Sequence, residues 1–293
     1  SKLFIEHQIN LGQFVASEII IITILNSIEK MILSLEVIYD VLTSLEKINK
    51  VLDKPVDEDI KSSIKQEWLT TPALDLKIND LSFVYPNQKK VINQLSLHLK
   101  PSEKVCLVGT EGSGKSTLVK LICGFYKNFE GNILLNDVPI KMIPKTVIHQ
   151  NLSVLFADDD LFTGTVLENI TLGNMDFDKQ HLDHVCKIVG LTEFIKNEQK
   201  GLETSLDPQG KKLSYNTIQK ILLARCLLKK PSLLLIEDNW VGIESKIREQ
   251  VINYLTDKNS AFTMVAVTND EAFINKCNVR YEVKNGSINP TNQ

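Results

Sequence analysis

The sequence carries no strong excess of charge. Its 33 basic and 36 acidic residues leave a formal charge of −3, which disfavours a nucleic-acid partner. It has no CxxC pair among its five cysteines and nothing with zinc-ligand spacing, which argues against a zinc fold or a thioredoxin-like motif. Cys106, Cys123, Cys186, Cys226 and Cys277 are therefore expected as reduced thiols, four of them inside apolar runs that read as core. There is no internal repeat, no low-complexity tract and no signal-peptide n-region. Because it starts at Ser1, the sequence reads as part of something longer. What remains is a globular chain of 293 residues, 43% hydrophobic and 24% charged. That is enough for one to two domains with a sizeable core.

One long apolar run stands out. LGQFVASEIIIITILNSI, residues 11–28, contains Gln13, Glu18 and Asn26. A membrane span needs about 20 mostly apolar residues, so two readings stand: a buried helix of a soluble domain, or the last span of a membrane domain. In the second, Glu18 faces neighbouring helices, because a carboxylate against lipid is costly. Beyond it, Met31, Leu35, Ile38, Leu42, Leu45, Ile48 and Leu52 recur every three or four residues, the mark of an amphipathic helix. Pro55 and the charged run DEDIKSSIKQE read as a linker.

From about Leu69 the pattern changes. LDLKINDLSFVY alternates as strands do. KVCLVG is a β-rich run before a glycine-rich loop, and helical patterns follow at 115–126, 179–199 and 215–229. LLLI and FTMVAVT are short apolar runs suited to central parallel strands. VRYEVKNGSI reads as a terminal hairpin around Asn285-Gly286. Strands alternating with helices predict an α/β domain with a mainly parallel sheet.

GTEGSGKST, residues 109–117, matches G-x-x-x-x-G-K-[ST], with a strand before it and a helix after. The loop is Gly109, Thr110, Glu111, Gly112, Ser113, Gly114, Lys115, Ser116 and Thr117. Its glycines let the backbone turn tightly and aim N–H groups at phosphate oxygens, and the helix N-terminus favours negative charge. Lys115 is placed to reach the β- and γ-phosphates, and the Ser116 hydroxyl to ligate Mg²⁺. Nucleotide binding follows directly; hydrolysis is a separate matter.

Further segments resemble the ATP-binding cassette of ABC exporters, preceded by the end of their transmembrane domain, over nearly the whole chain. SFVYP (82–86) is similar to the family's aromatic loop and nominates Tyr85 to stack on adenine, a contact worth about 1–3 kcal/mol. LFTGTVLENI (161–170) is similar to the segment after the loop that contacts membrane helices. LSYNTIQKILLARCLLKKPSLLLIED (213–238) follows the signature helix and the Walker B strand. FVASEIIIITILNSIEKMIL resembles the last transmembrane helix of exporters of peptides or proteins, which favours the membrane reading of 11–28. The resemblance implies an α/β P-loop fold with a mainly parallel sheet, an antiparallel N-terminal β-region and an inserted helical subdomain at about 158–228. It also implies boundaries: residues 1–52 as the end of the membrane domain, 53–68 as linker and 69–293 as the ATP-binding domain, on the cytoplasmic side of the membrane. The implied ligands are ATP and Mg²⁺, and the implied partner is a second half-transporter, identical or different.

The chain departs from the family where the chemistry lies. The strand ends in Glu237-Asp238, whereas the family has Asp then Glu, a metal ligand followed by the base for the attacking water. Glu237 is thus the candidate metal ligand, one methylene too long. Asp238 is a candidate weak base, one methylene too short. A misplacement of about 1 Å can cost roughly a hundredfold in rate. The family's water-sensing Gln falls at Ala157, its switch His at Asn269, and the Asp of its D-loop at Glu244 in VGIE. LSGGQ reads LSYNT: Ser214 keeps a hydroxyl for the partner's γ-phosphate, while Tyr215 and Asn216 replace glycines that allow close backbone approach. Two functional readings remain open. One is an ATP-binding subunit with slow or impaired hydrolysis. The alternative is a competent export motor, since positioning and Mg²⁺ supply most phosphoryl-transfer catalysis. Asp158, Asp159 and Asp160 read as a solvated loop, and His181 and His184 as a solvated helix face without a third metal ligand.

Overall fold

The computed structural model describes residues 11–53, 71–86, 89–238, 240 and 242–291. The expected linker lies almost wholly outside the described residues. Contacts divide the chain into residues 1–58 and 59–293.

Among the described residues of the first unit there is a single helix, α1 (Leu11–Leu52), of 42 residues with none buried. At 1.5 Å per residue it is about 63 Å long, roughly twice the hydrocarbon thickness of a bilayer. By length and composition it can cross a membrane. The hydroxyls in its apolar half are satisfied on its own backbone: Ser17 donates to the Phe14 carbonyl, Thr23 to Ile19 and Ser27 to Thr23, at 2.7–2.8 Å. Such back-bonding removes the cost of a bare polar group in an apolar medium.

The second unit carries two main sheets. The smaller runs β2-β1-β4-β5, from β1 (Leu76–Val84), β2 (Lys90–Leu99), β4 (Glu130–Leu135) and β5 (Val138–Pro139). Its β1 pairs antiparallel with both β2 and β4. The larger runs β12-β11-β3-β10-β9-β6, from β3 (Lys104–Val108), β6 (Leu152–Leu155), β9 (Leu233–Glu237), β10 (Thr263–Val267), β11 (Val279–Lys284) and β12 (Ser287–Thr291). All its pairings are parallel except the β11–β12 hairpin. That hairpin turns at Asn285 and Gly286, both at positive φ, as the Asn-Gly pair predicts.

The central strands are apolar except at their ends, Lys104, Glu237 and Thr263, because both faces are covered. Alternate residues serve two cores. Cys106, Val108, Leu234, Ile236, Met264 and Ala266 face one. Val105, Leu107, Leu233, Leu235 and Val265 face the other. The main helices are α2 (Lys115–Ile122), α3 (Lys145–Asn151), α4 (Val166–Thr171), α5 (Lys179–Ile188), α6 (Thr192–Asn197), α7 (Tyr215–Leu228), α8 (Ser245–Leu255) and α9 (Glu271–Ile274). A two-strand ribbon, β7 (Gly164–Thr165) with β8 (Ser205–Leu206), sits among them. Caps fix the helix starts: Thr165 and Glu168 form a reciprocal capping box at α4, Asp178 caps α5 and Ser214 caps α7.

The single helical pattern at 179–199 is two helices, α5 and α6. The backbone takes a positive φ at Gly190, and Leu191 sends its N–H back to Cys186. The thiol expectation holds for three cysteines only. Cys123, Cys186 and Cys226 are buried and free, and burial pushes the Cys226 thiol up to about 12. Cys106 and Cys277 are joined as a disulfide, 171 residues apart in sequence. Asn278 bonds the Lys104 carbonyl, which lays the approach to β11 beside β3 and brings the two cysteines together.

Trp240, fully buried, stacks on Phe273 with ring centroids 5.7 Å apart. It anchors the chain just beyond β9. Trp240→Ala should cost about 3–5 kcal/mol, read as a lowered denaturant midpoint.

Candidate functional site

Strand β3, buried at every residue, delivers the loop 109–114 to the sheet edge. Two glycines there are set by geometry, Gly109 by a backbone clash and Gly114 by its left-handed φ. A Cβ on Gly109 (φ 143) would lie 2.3 Å from the Val283 carbonyl oxygen, and one on Gly114 (φ 108) 2.9 Å from Ile92 Cδ1. With those side chains absent the loop folds tightly into the start of α2. Lys115 curls back over it, donating to the carbonyls of Gly109 (2.8 Å) and Thr110 (2.7 Å) and to Ser113 Oγ (3.2 Å). Burial lowers its pKa, opposed by the nearby charges of Glu237 and Glu111.

A cavity of about 650 Å³ opens on this loop, lined by Val91, Gly109, Glu111 to Thr117, Asp238 and Asn269. The structure therefore brings together the phosphate loop, one member of the carboxylate pair and the switch position. The size suits a small-molecule ligand. Thr117 joins the cavity to Tyr85, whose hydroxyl lies 3.1 Å from Thr117 Oγ1. The Tyr85 ring meets Phe83 and Tyr126 edge-on, at 82° and 87°. Tyr126 is a neighbour that no sequence pattern pointed to.

The two carboxylates have different surroundings. Glu237 is 6% exposed; its Oε2 accepts from the Ala157 N–H at 3.0 Å, and its Oε1 is buried with no partner among the described residues. A bare buried carboxylate oxygen is costly unless something fills its valence, so the residue suits a cation. Asp238 is occupied on both oxygens. Oδ1 accepts from the Trp240 N–H at 3.1 Å. Oδ2 accepts from the Thr268 hydroxyl and from Arg248 Nη2, the latter at 3.4 Å. Arg248 also binds Asp270, at 2.6 Å. Thr268 adjoins Asn269 in the chain and was discoverable by proximity. Arg248, a turn into α8, carried no signal.

The signature residues lie elsewhere, at the start of α7, and none of them lines the cavity. Ser214 accepts from the Thr217 N–H at 3.2 Å. Tyr215 is 47% exposed and lies against Gly242. Lys220 pairs with Glu244 at 2.7 Å, and hydrogen bonds from Lys220 and Asn216 hold the Glu244 carboxyl down at about 2. Of the acidic run, Asp158 and Asp160 are exposed. Asp159 is half-buried; it accepts from the Phe156 N–H, and burial raises its pKa. His184 is exposed, but His181 is half-buried, with a ring nitrogen 3.3 Å from the Leu227 carbonyl. Among the described residues no group of three His, Cys, Asp or Glu side chains is arranged for a metal.

A phosphate loop between a buried strand and a helix, with acidic and switch residues at the ends of adjacent parallel strands, defines a P-loop nucleotide-binding domain. The chain belongs to the ABC transporter family, whose model matches residues 92–241, half of its length. Membership makes it an ATP-binding domain. It is 36% identical over 188 residues to the microcin-J25 export ATP-binding/permease protein McjD of Escherichia coli, covering 63% of this chain and 32% of that protein. It is 29% identical to the putative export ATP-binding/permease protein RP696 of Rickettsia prowazekii, covering 72% and 36%. It is 25% identical to the uncharacterized ABC transporter ATP-binding protein YwjA of Bacillus subtilis, covering 97% and 49%. The chain thus spans a third to a half of the length of these relatives. Its fold matches that of a bacterial Atm1-family ABC exporter solved with ATP bound, with a TM-score of 0.74 at 22% identity, over 84% of this chain and 43% of that one.

Two predictions follow from the site. Lys115→Ala removes a charged donor worth about 1.5–3 kcal/mol, so ATP affinity should fall roughly ten- to a hundredfold in a titration with a fluorescent analogue. Glu244, lowered from 4.5 to about 2, contributes stability that is present above its unfolded pKa and is lost as pH falls towards 2. Its side chain is 57% exposed, so the contribution is small. Glu244→Gln should therefore lose slightly less melting temperature than the parent between about pH 5 and about pH 3.

Proposed function

We propose that this chain is the ATP-binding part of a membrane exporter in which ATP acts mainly as a conformational ligand and is hydrolysed slowly. The observation that carries the reading is an intact phosphate loop beside a carboxylate, Asp238, whose oxygens are both already engaged. Residues 1–52 are the end of the membrane domain, with the first half of α1 as its last span. Residues 53–68 are a linker. Residues 69–293 are the cytoplasmic ATP-binding domain, and 158–228 are its helical subdomain.

In this reading two cassettes close on two ATP molecules. Each site joins one chain's phosphate loop to the other's signature, and the partner is a second half-transporter. Lys115 exchanges its bonds to Gly109 and Thr110 for phosphate oxygens. Tyr85, held by Thr117, stands at the adenine side. Mg²⁺, for which Ser116 and the unpartnered Glu237 Oε1 offer oxygen ligands, would offset phosphate charge. In hydrolysis the water oxygen bonds to the γ-phosphorus, the bond to the ADP oxygen breaks, and the water proton passes to Asp238. A poorly placed general base forfeits much of a contribution of about 10²–10⁴-fold. Ala157 offers no side-chain hydrogen bond to align the water, and Asn269 donates a hydrogen bond but takes no charge. Tyr215 and Asn216 add bulk where the family has glycine, so the partner's nucleotide sits further off. This chain weakens both its own site and the site it completes.

The competent-motor reading draws on the retained phosphate loop and on the two carboxylates themselves. Phosphate release by the full-length protein in membranes, alone and with a second half-transporter, separates the two. The slow-site reading expects little release by the protein alone; turnover at about 10 s⁻¹, an ordinary enzyme rate, would sink it. Exchanging the pair, Glu237→Asp with Asp238→Glu, should not restore ordinary turnover while Ala157 and Asn269 remain. Full recovery from that exchange would locate the whole defect in the order of two carboxylates.

A further inference from the structure

Arg248 belongs to no motif, yet it links three segments around the site. It projects from the first turn of α8, where its backbone N–H bonds the Glu244 carbonyl at 2.9 Å. Its Nη2 lies 2.6 Å from Asp270 Oδ2 and 3.4 Å from Asp238 Oδ2. The three side chains are 26%, 15% and 5% exposed, in the order Arg248, Asp270, Asp238, so solvent screens them only partly. The buried Thr268 hydroxyl donates to the same Asp238 oxygen and accepts from the Asp270 N–H at 3.0 Å. Asp270 is further fixed as the cap of α9, accepting from Ala272 and Phe273. The end of β9, the loop after β10 and the start of α8 are thus joined through one guanidinium.

We propose that Arg248 is a positioning residue that, with Thr268, holds Asp238 as a structural acid and so withholds it from the attacking water. The proposal rests on the reading above that Asp238 is the candidate base. An ionised carboxylate has about four lone-pair sites. Thr268, Arg248 and the Trp240 N–H already address three of them. To serve a water at the γ-phosphate, Asp238 must turn away from at least one of these donors, and two of the three bind the same oxygen. Arg248 is planar and permanently charged, so it does not release the carboxylate by losing a proton. The short side chain and the hold then act together: Asp238 reaches less far than Glu would, and it is anchored at its tip.

The test uses the full-length protein in membrane vesicles, with phosphate release measured against Mg-ATP concentration and binding measured with a fluorescent ATP analogue. Arg248→Gln removes the cation yet leaves an amide for Asp270, whose cap bonds to Ala272 and Phe273 persist. Its kcat should rise roughly tenfold, a fraction of the usual contribution of a general base, with KM and analogue affinity unchanged within about twofold. Thr268→Val removes the other donor to Asp238 Oδ2 and should shift kcat in the same direction. A purely structural role for Arg248 would lower binding and turnover together. Unchanged or reduced kcat in both variants, with ATP affinity retained, overturns the proposal. If Arg248→Gln loses ATP binding, the Thr268→Val result decides alone. Adding Asp238→Asn to whichever variant shows the gain separates the two claims. Loss of the gain supports the hold on Asp238, whereas its persistence shows that Asp238 is not the base and overturns the reading on which the proposal rests.

Discussion

The site depends on one constraint, the in-register parallel pairing of β3, β10 and β9. Val267 pairs with Leu107 on one side and with Glu237 on the other, so the three strands end level. In an open parallel sheet, ligands bind at the carboxyl ends of the strands. Level ends place the phosphate loop, the acidic pair and Asn269 at one edge, although the loop lies more than a hundred residues before the other two in sequence. The Asp238 N–H bonds the Val267 carbonyl at 2.8 Å, which continues the pairing one residue past β9. The burial of these strands on both faces keeps that alignment rigid.

Much of this was legible in the residues themselves. The glycine spacing of 109–114, the apolar runs of β3, β9 and β10 and the Asn285-Gly286 turn are local signals, and local signals translate into local structure. The break of 179–199 at Gly190 was hidden because apolar periodicity continues on both sides of it. The Cys106–Cys277 pairing depends on β11 lying beside β3, a fact of topology. The ties on Asp238 from Thr268 and Arg248 depend on three elements converging, and no spacing rule encodes that. The burial of Asp159 and His181 has the same origin: polar residues in a charged stretch read as solvated until packing from elsewhere covers them.

In the proposed reading the arrangement separates binding from turnover. A backbone clash at Gly109 and the left-handed φ of Gly114 fix the loop, and Lys115 stands over it, so in this reading the grip on phosphate is built into the backbone. In the proposed reading, the groups that would act on water are replaced at Ala157 and Asn269, shortened at Asp238, and engaged there by Thr268 and Arg248. A domain of this kind gains stability from nucleotide by mass action, about 2.7 kcal/mol at a hundred times Kd. It can thereby drive closure against a partner without cleaving the nucleotide, provided the closed state binds ATP more tightly than the open one.

The most direct test of this account is the chemical identity of the nucleotide that the protein holds. The full-length protein in membranes is incubated with radiolabelled ATP and Mg²⁺ at 25 °C, washed free of unbound nucleotide, and its bound label is separated into ATP and ADP over time. The account predicts near-stoichiometric label that remains ATP for minutes, many times longer than the roughly 0.1 s cycle of an enzyme with ordinary turnover. Bound label that converts to ADP within seconds would contradict it.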